Sequence, residues 1–178
     1  MRLETERLIL RELQEGDWQA MHEYASDPEV VRYMQWTPKT EEETREYVRR
    51  AIANQQERPR RNYRFVLILK AEKRLIGQCS IINVSSPENG EAGMVYVLNR
   101  NFWNKGYMTE AVKRVIDFGL GELGLHRIYA TLAPENTASA RVLEKAGMRR
   151  EGHLREHKFV KGEWRDSLLY AILESDRR

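Results

Sequence analysis

Residues 91–133 constrain the fold more than any other stretch of this chain. "EAGMVYVLN" (91–99) is apolar and β-rich. After a short polar loop, Met108, Ala111, Val112, Val115, Ile116, Gly119 and Leu123 share one helical face while Lys113, Arg114 and Asp117 point away; "HRIYATLA" (126–133) is strand-like again. A strand, a helix over 107–122 and a second strand form a crossover, which is right-handed and predicts a parallel strand pair. Ligands of open α/β sheets bind at the carboxyl ends of strands, where helix N-termini converge. The loop "NFWNKGYMTEA" (101–111) sits at such an end. The first N–H groups of a helix lack intrahelical partners, and the helix dipole favours negative charge there. Gly106 allows close backbone approach and Lys105 adds positive charge. A pyrophosphate is the expected occupant; the competing reading is a plain connecting loop.

The remaining pattern completes a mixed sheet. "ERLILREL" (6–13) reads as the first strand, with Asp17 as N-cap of a helix carrying Trp18, Met21 and Ala25 at helical spacing. Asp27–Pro28 opens a short helix, and Thr40 with Glu43 forms a capping box before a longer one through Tyr47, Val48, Ala51 and Ile52. "YRFVLILK" (63–70) and "LIGQCSIINV" (75–84) form a hairpin, and "SSPENG" (85–90) is a second turn. "PENTASARVLEKAG" (134–147) is a capped helix closed by Gly147; "LREHKFV" (154–160) and "WRDSLLYAIL" (164–173) are the last two strands, joined at "KG". One α/β domain over residues 1–178 is expected.

Composition narrows the setting. With 41% apolar and 32% charged residues the chain reads as soluble and globular, and no apolar run approaches the ~18 residues a membrane span needs. The amino terminus lacks signal-peptide character, and Cys79 is the only cysteine, so a reducing cytoplasm is expected. Cys79 lies in an apolar strand and reads as core filler. A net charge of +3 suits an anionic ligand but does not argue for nucleic acid. The basic run "RPRRNYR" (58–64) reads as a solvated connector. "GLGELG" (119–124) matches a dinucleotide pattern, but it closes a helix instead of opening one, so Gly121 and Gly124 read as caps and Gly119 as a packing glycine. His153 and His157 have no third partner at metal-ligand spacing, so no metal is expected.

Taken together, "ETERLILREL", "DPEVVRYM", "FWNKGYMTEA", "PENTASARVLEKAGM" and "EGHLREHKFVKGEWRDSLLYAIL", in this order, resemble the GNAT superfamily of acetyl-CoA-dependent N-acetyltransferases. Within it they resemble the RimJ/RimL-like branch of ribosomal-protein N-terminal acetyltransferases. The resemblance implies an acyl-CoA N-acyltransferase fold: a mixed, mostly antiparallel sheet with a central parallel strand pair, flanked by helices. It implies acetyl-CoA as cofactor, with the amides of Asn104, Lys105, Gly106, Tyr107, Met108 and Thr109 around the pyrophosphate and Trp103 at the head of the loop. Met108 departs from the small residue usual there and is expected to narrow the loop. Val97 and Leu98 would pair with the pantetheine arm through their backbone. Asn136 would touch the arm, cap the next helix, or do both.

For the chemistry, the resemblance leaves gaps. Gly93 stands where relatives carry a glutamate base, and Leu143 where they carry a tyrosine acid. Glu91, two residues before Gly93 and on its face, is the candidate base; Ser139 is the candidate acid, and the N–H near Leu98 the oxyanion donor. The implied acceptor is an amine, foremost a protein or peptide N-terminus such as that of a ribosomal protein. A polyamine, amino acid or antibiotic is the alternative, and binding of acyl-CoA or RNA without catalysis a third. The segment "MQWTPKT" (34–40) is expected to shape the acceptor pocket. No membrane or direct nucleic-acid partner is expected, and the chain is expected to be a monomer or homodimer.

Overall fold

The computed structural model describes residues 1–85 and 89–177. The turn expected over 85–90 therefore lies in part outside the described residues. Eight strands form one sheet: β1 (Arg2–Glu4), β2 (Leu8–Glu12), β3 (Tyr63–Leu69), β4 (Arg74–Ile82), β5 (Glu91–Leu98), β6 (Arg127–Leu132), β7 (Arg149–Val160) and β8 (Glu163–Leu173). Their order across the sheet is β1-β2-β3-β4-β5-β6-β8-β7. Every pairing is antiparallel except β5 with β6, the parallel pair that the crossover requires. The helices are α1 (Trp18–Ala25), α2 (Pro28–Val31), α3 (Glu41–Asn54), α4 (Tyr107–Asp117) and α5 (Thr137–Lys145). No helix among the described residues is long and apolar enough to cross a membrane.

The two faces of the sheet carry separate cores. Ala92, Met94 and Leu98 of β5 and Ile128, Ala130 and Leu132 of β6 join Val112, Val115 and Leu143 on the face covered by α4 and α5. Val66, Leu75 and Val97 join Tyr24 and Val48 on the face covered by α1 and α3. Side chains alternate along a strand. Glu91, Gly93, Val95 and Val97 therefore belong to the α1–α3 face, as do Arg127, Tyr129 and Thr131.

Local chemistry explains where the elements depart from the sequence reading. Asp17 does not cap α1 through its side chain. Its buried carboxylate instead takes a forked pair from Arg11 at 2.7 and 2.8 Å and the backbone N–H of Gln14 at 2.7 Å. A charge-assisted fork outweighs a single cap bond. The first strand is preceded by a short β1, and β7 begins at Arg149 instead of Leu154. The Thr40–Glu43 capping box forms. The basic run is more than a solvated connector. Arg60 is ion-paired with Glu12 and lies over the Tyr63 ring, 4.4 Å from its centroid, while Arg64 donates to Asn54.

After α4 the chain makes a π-helical turn, Phe118–Glu122, that carries the first glycines of "GLGELG". A Cβ at Gly119 would lie 2.6 Å from the Cδ1 atoms of both Ile81 and Ile128. The glycine thus lets this turn rest directly on the sheet. Cys79 is fully buried, and burial pushes its thiol up, as suits a core residue. We expect Gly119→Val to lower unfolding free energy by roughly 1–3 kcal/mol through overpacking. Gly16→Ala, where a Cβ meets nothing within 4 Å, should change it little. Urea denaturation of both variants checks the contrast.

Candidate active site

The parallel pair β5–β6 is short: Glu91, Ala92 and Gly93 pair with Arg127, Ile128 and Tyr129. Past Gly93 and Tyr129 the strands part, while β5 continues against β4 as far as Leu98 opposite Gly77. One edge of β5 is thereby left without a neighbouring strand. Backbone alternation says which groups line it. Asn99 N donates to Ile76 O on β4 at 2.8 Å, so Val97, two residues back, also spends its backbone groups on β4, opposite Gln78. Tyr96 and Leu98 point theirs into the gap. The Leu98 carbonyl is taken by the Trp103 indole N–H at 2.9 Å, which leaves the Leu98 N–H facing the opening. The Val97 backbone groups, expected to meet the arm, therefore do not line the open edge.

At the end of β5 the loop climbs into α4. Asn104 and Gly106 take left-handed backbone, with φ 59° and 77°. Within the described residues no group accepts from the N–H of any residue from Asn104 to Thr109; the first helical bond is Glu110 N to Gly106 O at 3.1 Å. A run of unpartnered amides at a helix N-terminus forms a cradle for an oxyanion. Met108 does not narrow it, because its side chain is only 5% exposed and joins the core under α4. Lys105 turns its ammonium to Asn101 O at 3.1 Å and over the Phe102 ring.

A residue that pattern reading passed over holds this loop in place. Arg7, in the turn between β1 and β2, donates from Nε to Glu110 Oε2 at 2.7 Å and from Nη1 to Lys105 O at 3.0 Å. Its guanidinium lies 4.6 Å over the Tyr107 ring, and Nη2 lies 3.4 Å from where a Gly106 Cβ would stand. Glu110 Oε1 accepts from the Thr5 hydroxyl and the Arg7 N–H. Burial raises the Glu110 carboxyl, but the bonds from Thr5 and Arg7 and the Arg7 charge outweigh it and hold it below the usual range. A depressed carboxylate contributes above its ordinary pKa of 4.5, and that contribution fades as pH falls through the folded value. No spacing in the sequence points to this contact, since Arg7 and Glu110 lie 103 residues apart.

Across the gap, Asn136 caps α5 by accepting from Ser139 N at 3.1 Å. The Ser139 hydroxyl meets the Tyr96 hydroxyl at 2.6 Å, and Tyr96 also donates to Ser139 O at 3.1 Å. Tyr96 thus ties β5 to the first turn of α5. Burial pushes its phenol up, so it stays protonated throughout the neutral range. Leu143, one turn further along α5, is fully buried and offers no polar group.

On the α1–α3 face, Glu91 accepts from Arg127 Nε at 2.9 Å, and Arg127 forks onto Glu151 at 2.9 and 2.6 Å. This triad closes the paired end of β5–β6. Glu91 lies ~13 Å along the strand from Val95, the exposed residue just beyond the parting. Behind Val95 and Val97, Gln78 donates to Ser80 Oγ at 2.9 Å and to Tyr47 at 2.7 Å in a buried polar cluster. His153 and His157 engage separate partners, Asp166 at 2.6 Å and Ser167 at 3.0 Å.

An anion cradle beside an unpaired strand edge suits an extended, phosphate-bearing ligand. The model for the acetyltransferase (GNAT) domain matches residues 7–149, and the chain belongs to that family. It is 39% identical over 176 residues, 99% of either chain, to the uncharacterized N-acetyltransferase YnaD of Bacillus subtilis strain 168. It is 27% identical to the [ribosomal protein uS5]-alanine N-acetyltransferase of Escherichia coli K12, covering 99% of this chain and 92% of that one. Spermidine N-acetyltransferase from Vibrio cholerae, solved in complex with CoA and spermine, superposes with a TM-score of 0.82 at 27% identity, covering 97% and 98% of the two chains. The protein is an acetyl-CoA-dependent N-acetyltransferase.

The residues present fit acetyl-CoA at this site: the cradle suits its pyrophosphate and the open edge its amide-rich arm. Arg7→Ala should free the loop and raise the KM for acetyl-CoA about tenfold, equivalent to ~1.4 kcal/mol, with kcat changed far less. Glu110→Gln should act in the same direction more weakly. Steady-state kinetics with varied acetyl-CoA at saturating acceptor makes the check.

Proposed function

We propose that the acceptor is the α-amine of a peptide or protein N-terminus, reached from the α1–α3 face through the gap between β5 and β6. Acetyl-CoA supplies the acetyl thioester. The Leu98 N–H donates to the carbonyl oxygen as negative charge gathers on it. The neutral amine attacks the thioester carbon, and the C–S bond breaks as the C–N bond forms. The proton the amine gives up reaches the sulfur through the Ser139 hydroxyl, which Tyr96 holds in place. The amides from Asn104 to Thr109, with Trp103 closing Leu98 O, hold the donor so that its reacting end meets this group. Asn136 keeps its side-chain N–H2 for the arm while its oxygen caps α5. Glu91 is an orienting residue for Arg127 and not the base, since its carboxylate is already committed to that guanidinium.

One observation favours a peptide terminus over a polyamine. The carboxylates flanking the closed end of the cleft, Glu91 and Glu151, are both bound by Arg127. A polycation needs several free carboxylates, whereas a peptide needs backbone partners and one amine. The E. coli relative named above acts on a ribosomal-protein alanine and the V. cholerae one on spermidine, so the family accommodates both chemistries.

An acetylation screen of peptide N-termini against spermidine and free amino acids tests the reading. Peptides should win by kcat/KM, and preferential turnover of spermidine would overturn it. In the same assay Ser139→Ala should lower kcat about 10- to 100-fold, within the range of a lost proton donor. Tyr96→Phe should do so less, and Glu91→Gln should leave the pH–rate profile in place. Unchanged kcat in Ser139→Ala would remove its assigned role.

A further inference from the structure

Beyond the parting of the strands, the α1–α3 face carries one cation whose arrangement the transfer chemistry above does not use. Lys158 of β7 is half-buried and donates from Nζ to Thr131 Oγ1 at 2.9 Å. Thr131 stands two residues past Tyr129, the last β6 residue paired with β5, as Val95 stands two residues past Gly93. The ammonium therefore sits on the wall of the cleft, level with the exposed Val95. Among the described residues it makes no ion pair, and the Thr131 hydroxyl is its one polar partner. Neighbouring cations are spoken for: Arg165, opposite Lys158 in the register, is paired with Glu163 at 2.9 Å, and Lys161 is bound to the carbonyls of Val31 and Arg32.

A half-buried ammonium held by a single hydroxyl bears a desolvation cost that no carboxylate among the described residues offsets. Burial accordingly holds the Lys158 pKa below the usual lysine value. An anion arriving beside it recovers that cost, whereas a second cation there meets repulsion. Charge complementarity of this kind acts mainly on specificity.

We propose that Lys158 is a specificity residue that selects acceptors carrying a carboxylate close to the amine, namely peptides with an acidic side chain next to the N-terminal residue. The inference rests on the peptide-terminus reading and names the chemistry of its second residue. The same charge raises the cost of an ammonium in the cleft, which favours the neutral amine that transfer needs and disfavours polyamines.

The test compares the peptides Ala-Asp-Ala-amide and Ala-Asn-Ala-amide, with alanine, alaninamide and spermidine as further acceptors. The wild-type protein should prefer the Asp peptide by about tenfold or more in kcat/KM. Lys158→Met, which keeps the stem, should bring that ratio near one, and Lys158→Arg should restore it. If the preference instead separates alanine from alaninamide, the anion is the α-carboxylate of a free amino acid and the proposed peptide specificity is overturned. Calorimetry of the CoA-loaded protein with N-acetyl-Ala-Asp-Ala-amide and its Asn counterpart gives a readout without turnover. Should every peptide fail as acceptor, the peptide reading falls while this binding difference still decides Lys158. A ratio near one in the wild type, or a ratio unchanged in Lys158→Met, overturns the proposal.

Discussion

At the centre of the sheet, β5 and β6 share three residue pairs and then separate. Strand edges are costly to leave open, because every unpaired N–H and C=O seeks a partner. Here the edge belongs to Tyr96 and Leu98, and the surroundings keep it available without letting it collapse. Trp103 occupies the Leu98 carbonyl, and Tyr96 reaches Ser139, so past the last pair β5 is held to the first turn of α5 by a side chain and not by strand pairing. The two cores, one on each face, hold the separated strands from outside.

The anion cradle depends on an equally local balance. A backbone turn with left-handed Asn104 and Gly106 aims successive amides outward, and such a turn needs support from elsewhere. That support comes from the far end of the chain. Arg7 and Thr5 reach Glu110 and the Lys105 carbonyl, tying the first hairpin to the loop and the first turn of α4. Arg7 also brings positive charge to the mouth of the cradle that Lys105, turned onto Phe102, does not. Charge at the site is thus set by one arginine remote in sequence more than by the lysine within the loop.

Much of this was legible in the residues, for identifiable reasons. The strand–helix–strand period of 91–133 carries the parallel pair, since a crossover permits few other arrangements. The capping patterns at Thr40 and Asn136 are local and formed as read. Asp17 misled because a fork from Arg11, a tertiary contact, outweighed a local cap. Met108 took the apolar helical face that its spacing gives, and the expectation that it narrows the loop set that periodicity aside. Arg7, Tyr96 and Lys158 were out of reach for the same reason: each acts on a partner far along the chain, Glu110, Ser139 and Thr131, and no spacing rule links them. Glu91 stood on the right face but its partner, Arg127, came from the neighbouring strand.

The central claim is that the backbone amides of one loop, supported by Arg7, bind the donor's pyrophosphate. The most direct test is amide-resolved ¹⁵N NMR during titration with CoA and, separately, with pantetheine, which lacks the pyrophosphate. The account predicts that the amides from Asn104 to Thr109 shift strongly with CoA and hardly at all with pantetheine, while Leu98 responds to both. Equal responses of the loop to the two ligands, or CoA shifts confined to other segments, would contradict it.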